Sequence, residues 1–142
     1  MIFLISPYAD KSLHVRNDRA WCALRAASAL MEAGEPVYSP VVYLHWMQQK
    51  ADITYSPTIW SRLSLNMLHQ CHRCYVLTIP GWNCEEVGVL ITNAIALGRP
   101  IQGYAFGKEA EDVSGYDIMG EFGFKIENRL PAFRLIRDNQ ED

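Results

Sequence analysis

No apolar run in this sequence approaches the roughly 20 residues that a bilayer-spanning helix needs. The first such run, Ile2 to Ile5, is also too short for a signal-peptide core and has no basic flank before it, so the expected location is the cytoplasm. Positive charge is in short supply as well. Thirteen Lys and Arg face sixteen Asp and Glu, a net charge of −3, and this excludes broad affinity for a nucleic-acid backbone, which requires a positive surface. Low-complexity tracts and internal repeats are absent, which excludes solenoids and long disordered segments. Paired metal-ligand spacings are missing too. The one CxxC, Cys71-His72-Arg73-Cys74, lies where a helix runs out into a strand, the reverse of the thiol-at-helix-start geometry that redox motifs use. Cys22, Cys84, His14 and His45 are scattered, so the expectation is free thiols, no metal and no cofactor.

What is present is alternation. Ile2-Phe3-Leu4-Ile5, Val37-Tyr38, Tyr75-Val76-Leu77-Thr78-Ile79 and the stretch from Pro100 to Phe106 read as short buried strands. Between them lie helical segments. Val15 to Ala33 carries Ala20, Leu24, Ala27 and Met31 at helical spacing, with Gly34 as its stop. Ser56-Pro57 is an N-cap followed by proline at the first helical position, and that helix runs to Gln70 with Ile59, Leu63 and Met67 on one face. Cys84 to Leu97 is a third helix, closed by Gly98. Residues 41–56 read as a long irregular connection. Beyond Gly107 come an acidic loop and a possible fifth strand from Phe122 to Ile126. The expected organisation is one α/β domain over residues 1–136 and a polar tail over 137–142. In a parallel sheet covered on both faces, ligands sit at the carboxyl ends of the strands, which points to Ser6 to Lys11, Ser39 to Trp46 and Pro80 to Glu86.

Two adjacent acids, Glu85 and Glu86, open the third helix. Asn83-x-x-Glu86 matches a capping box, and both carboxylates suit a helix N-terminus, where each contributes about 0.3–1 kcal/mol. The same position also suits an ionised carboxylate that attacks or stabilises an electron-poor sugar carbon. Both readings stand on the sequence.

Ile2-Phe3-Leu4-Ile5-Ser6-Pro7-Tyr8, Val15-Arg16, Met31-Glu32-Ala33-Gly34 and Val37-Tyr38-Ser39-Pro40 together resemble the nucleoside 2-deoxyribosyltransferase-like superfamily, nearest to its small bacterial and phage members. The likeness continues through Trp60, Met67-Leu68, Cys71, Pro80-Gly81-Trp82 and Ala96-Leu97-Gly98-Arg99-Pro100. It implies a flavodoxin-like three-layer sandwich around a parallel sheet of four or five strands, a homodimer or larger assembly, and metal-independent N-glycosidic-bond chemistry on a nucleoside or nucleotide. It further implies substrate contact from Ser6, Tyr8, Arg16, Arg19, His45, Trp60, Ser64 and Trp82. Of these, Arg16 and Arg19 sit where a phosphate could be met, and Trp60 and Trp82 could stack on a base.

The superfamily's two acids are not where the resemblance places them. The nucleophile position, counted back from Gly98, falls on Leu90, and the sugar-holding aspartate position falls on Ser64. Glu86 precedes Leu90 by one helical turn and is the leading candidate for the acting carboxylate, with Glu85 as its competitor. The alternative is a catalytically silent protein of the same fold that sequesters or senses a nucleotide, or one that keeps only the fold.

Overall fold

The computed structural model describes residues 1–51, 56–126 and 135–137. Four strands, β1 (Ile2–Ile5), β2 (Val37–Tyr38), β3 (Arg73–Leu77) and β4 (Ile101–Tyr104), form an all-parallel sheet in the order β2-β1-β3-β4. This is the flavodoxin-like order, with helices on both faces. Strand β1 pairs Ile2 with Val37 on one side and with Arg73 on the other, and all four of its residues are fully buried. A continuous apolar run is what a strand covered on both faces requires.

The faces divide by alternation along the strands. Phe3, Ile5, Cys74 and Val76 point to a layer made by α3 (Pro57–Gln70), α4 (Glu85–Ala96) and Ile118 of α5 (Gly115–Glu121). Leu4 and Leu77 point the other way, to α1 (Leu13–Glu32) and α2 (Pro40–Ala51). On α1 the buried residues are Ala20, Ala23, Ala26 and Leu30, while Met31 is 59% exposed. Of the apolar face expected through Ala20, Leu24, Ala27 and Met31, Ala20 is buried and Ala27 packs against the core, whereas Leu24 is half-buried and Met31 is exposed. Three alanines and Leu30 thus make the buried face, and Leu24 is left half-buried at its flank. A similar offset occurs on α3, where Ser64 and Leu68 are buried and Ile59 is exposed.

Residues 40–51 are helical rather than irregular. Ser39 Oγ accepts from the Val42 amide at 3.3 Å, and Pro40 takes the first helical position. Val41, Leu44 and His45 then turn inward at helical spacing. After β4 the chain folds back along that edge strand. Thr78 Oγ1 donates to the Glu111 carbonyl, and the Glu111 amide donates to the Thr78 carbonyl at 2.9 Å. Helix α5, which the sequence pattern did not suggest, begins at Ser114, whose hydroxyl accepts from the Asp117 amide at 3.1 Å. The expected fifth strand exists as β5 (Phe124–Ile126), but it pairs antiparallel with β6 (Leu135–Arg137) in a separate two-stranded sheet. Apart from Arg137, the polar tail lies outside the described residues. Among the described residues no helix is long and apolar enough to cross a membrane.

Segment 111–115 comes so close to β4 that a Cβ on Gly103 would stand 1.9 Å from the Val113 carbonyl oxygen. Backbone cannot yield there as a flexible side chain could. Gly103→Ala should therefore cost about 1–3 kcal/mol of stability, read as a lower urea midpoint with an unchanged m-value.

Candidate functional site

The site begins at the carboxyl end of β1, beside the point where the order β2-β1-β3 reverses direction through the sequence. Here the chains leaving β1 and β3 diverge, and the gap between them is where doubly wound sheets bind ligands. A cavity of about 260 Å³ opens there. Ser6 and Tyr8 of the β1–α1 loop, with Pro40 and Val41 of α2, form one part of its wall. Trp60, Ser61, Ser64 and Leu65 come from α3, and Glu86, Val89, Leu90 and Asn93 from α4. The volume lies just under the roughly 300–1,000 Å³ typical of small-molecule sites.

Glu86 reaches the cavity because of the turn that precedes its helix. Ile79-Pro80-Gly81-Trp82 closes with a bond from the Trp82 amide to the Ile79 carbonyl at 3.1 Å, and Gly81 has φ of 90°. Proline then positive φ is the signature of a type II turn. A side chain at position 81 would also meet the guanidinium of Arg19, with Cβ 2.3 Å from Nη2. Trp82 is buried next, edge-on to Phe122 with centroids 6.2 Å apart, and fixes where α4 starts.

The N-cap of α4 is Cys84, without a side-chain capping bond, so Glu85 and Glu86 are its first two residues. Asn83 is not the cap. Its amide donates instead to Glu121 at 3.3 Å. The capping box suggested by Asn83-x-x-Glu86 is therefore not formed. Glu86 Oε1 instead accepts from the backbone amides of Tyr8 at 2.6 Å and Ala9 at 2.8 Å, and the Cys84 thiol lies 3.9 Å from the same oxygen. Bonds from N–H to a carboxylate are charge-assisted and hold it in a defined direction. Oε2 takes part in none of the three.

The β1–α1 loop is held from the other side as well. Arg19 Nη1 donates to the Ala9 carbonyl at 2.9 Å, and Arg16 Nη1 donates to the carbonyls of Asp10 and Lys11. Both arginines, expected near a phosphate, thus bind loop backbone, and neither is on the cavity wall. Tyr8 Oη and His45 Nδ1 are 2.7 Å apart. Burial pushes the Tyr8 hydroxyl up, an effect that nearby Arg16 opposes; burial followed by the Arg16 charge pushes His45 down. At neutral pH the pair is accordingly an O–H donating to a neutral imidazole, which puts the His45 proton on Nε2.

Of the remaining residues singled out from the sequence, Ser6, Trp60 and Ser64 line the cavity, and His45 is buried behind Tyr8. Trp82 is in the core rather than at the wall. Glu85 is exposed and borders a more open hollow with Gly88, Thr92 and Phe122, which adjoins the cavity across Val89 and Asn93. Cys71 and Cys74 are buried free thiols, and burial raises that of Cys74 to about 12. Asn93 was missed. Its Nδ2 donates to the Val89 carbonyl at 2.9 Å, so its orientation is set by its own helix. Its spacing from Glu86 and Leu90, two turns and one turn along one face of α4, was the available signal.

Ser6 adds one more feature. It is 5% exposed, lines the cavity, and its Oγ has no hydrogen-bond partner. A buried unpartnered hydroxyl costs stability unless something outside the chain satisfies it.

Two outcomes test this arrangement. Glu86→Ala removes the acceptor of the part-buried Tyr8 amide and the exposed Ala9 amide and should cost about 1–2 kcal/mol, with faster hydrogen exchange at both, whereas exposed Glu85→Ala should stay within about 1 kcal/mol. The second concerns pH. Folded His45 sits below its ordinary 6.5, so below that pH the unfolded chain binds the extra proton first and stability falls. Urea unfolding between about pH 7.5 and 5.5 should show a smaller loss in His45→Gln than in the parent.

No curated protein matches this sequence. A family model does, over residues 1–104, which takes in the whole parallel sheet and every residue of the cavity wall. The chain therefore belongs to the family described as a domain of unknown function, DUF1937.

Proposed function

We propose that the protein binds a nucleoside or nucleoside monophosphate in the strand-end cavity and cleaves or exchanges its N-glycosidic bond, with Glu86 as the acting carboxylate. The observation that carries this is the placement of Glu86, whose carboxylate is drawn to the cavity by the Tyr8 and Ala9 amides instead of capping its own helix. A carboxylate oriented in advance needs little reorganisation when charge develops on a sugar. The choice of sugar comes from the resemblance to the deoxyribosyltransferase-like superfamily. Its support is that Leu90 and Ser64, the positions which the resemblance assigns to the two acids, line the same cavity as Glu86.

In this reading a carboxylate oxygen of Glu86 bonds to the anomeric carbon as the carbon–nitrogen bond breaks. The base leaves with that electron pair and takes a proton from solvent. Water then cleaves the glycosyl ester in hydrolysis, or the nitrogen of a second base does so in exchange. Trp60, Leu65 and Val89 supply an apolar wall for the base.

A second reading, a silent protein that sequesters or senses a nucleotide, is favoured by one observation: Oε1 of Glu86 is already occupied by two loop amides. Incubation with deoxynucleosides, ribonucleosides and their monophosphates, with free base followed by chromatography, separates the two. The enzymatic reading expects base release that survives Glu85→Gln and falls about a hundredfold or more in Glu86→Gln, the scale of loss that even a 1 Å misplacement causes. Thermal stabilisation by ligand without base release would instead identify a binding protein.

A further inference from the structure

We infer that the ligand of this cavity is a phosphate-free nucleoside, one whose uncharged sugar hydroxyl completes Ser6, and not a nucleotide. The inference rests on the nucleoside reading above and narrows it. Its first basis is charge. Among the described residues lining the cavity, Glu86 is the sole Asp, Glu, Lys or Arg, and it brings negative charge to the wall. A phosphate monoester carries about −1.5 to −2 at neutral pH. In a cavity partly shielded from water, that group would be repelled by the Glu86 carboxylate with little of the screening that bulk solvent provides.

The nearest cations lie behind the wall and hold loop backbone, each through one guanidinium nitrogen. Arg16 holds the carbonyls of Asp10 and Lys11 and also engages the hydroxyl of Tyr8, a wall residue, from behind, without the guanidinium itself joining the wall. Arg19 holds the Ala9 carbonyl and lies against Gly81, whose missing side chain makes room for it. Each arginine holds the β1–α1 loop through Nη1 and neither lines the wall, so a phosphate inside the cavity would meet a guanidinium only by drawing it from its place beside the loop. That loop also presents the two amides that orient Glu86, so freeing the arginines would disturb the carboxylate.

The second basis is independent of charge. Ser6 Oγ is buried, lacks a partner and lines the cavity. A hydroxyl can both donate and accept, which suits a sugar hydroxyl as its missing partner. The other polar side chains on the wall, Tyr8, Trp60, Ser61, Ser64 and Asn93, are neutral as well. A neutral polar ligand satisfies such groups without bringing a charge that the wall cannot neutralise.

Calorimetric titration of the full chain with each 2′-deoxynucleoside and its 5′-monophosphate tests this, in the parent and in Glu86→Gln. The amide oxygen of glutamine can still accept from Tyr8 and Ala9 while removing the negative charge. The expected result is that at least one nucleoside binds tenfold or more tightly than its monophosphate. Glu86→Gln should shrink that ratio, and Ser6→Ala should weaken the nucleoside while leaving the monophosphate little changed. Monophosphates that bind as tightly as nucleosides, or more tightly, overturn the inference and leave the N-glycosidic reading standing. An unchanged ratio in Glu86→Gln overturns its electrostatic basis and the inference with it. If neither class binds, both the inference and the nucleoside reading fall.

Discussion

Strand β1 is buried on both faces along its whole length, and this constraint organises the protein. Side chains at Phe3 and Ile5 demand one helical layer and Leu4 demands another, so the strand is stable only at the centre of a covered sheet. Its two neighbours, β2 and β3, each pair with it in parallel, and each must be reached by a helical crossover. The chain leaving β1 therefore turns one way and the chain leaving β3 the other. A cavity at their parting follows from the topology, before any side chain in it is considered.

Glu86 joins the two diverging loops. Its helix belongs to β3, while the amides it accepts belong to the loop after β1, so one carboxylate ties together segments that the sheet order separates. The arginines of α1 hold the same loop through its carbonyls. The result is a loop whose donors point to Glu86 and whose acceptors point to Arg16 and Arg19. A site built this way holds its carboxylate rigidly, and the same bonds that orient Glu86 also engage one of its oxygens. Catalysis on one hand and structural bridging on the other draw on the same group.

Much of the fold was legible because its signals are local. Ser56-Pro57 announced α3, and the apolar run from Ile2 announced a buried strand. The same Ser-Pro signal opens α2 at Ser39-Pro40, just ahead of the stretch 41–56 whose mixed polar and aromatic residues read as irregular. Ser114-x-x-Asp117 was likewise a helix start hidden in an acidic, glycine-containing loop. Helix orientation was less legible. On α1 the expected face through Ala20, Leu24, Ala27 and Met31 holds at Ala20, but Ala23, Ala26 and Leu30 complete it, because no residue's own identity reveals which side of its helix meets the sheet.

The sequence by itself determined β1 to β4 with α1, α3 and α4 among them, and the presence of an acid at the start of α4, because caps, turns and periodicity depend on residues within a few positions of one another. Only the tertiary structure decided what that acid does. Asn83-x-x-Glu86 fits a local capping box as well as it fits a carboxylate that faces away from its helix. The choice went to amides 77 and 78 residues distant in the chain, which the parallel sheet brings within 2.8 Å of Glu86.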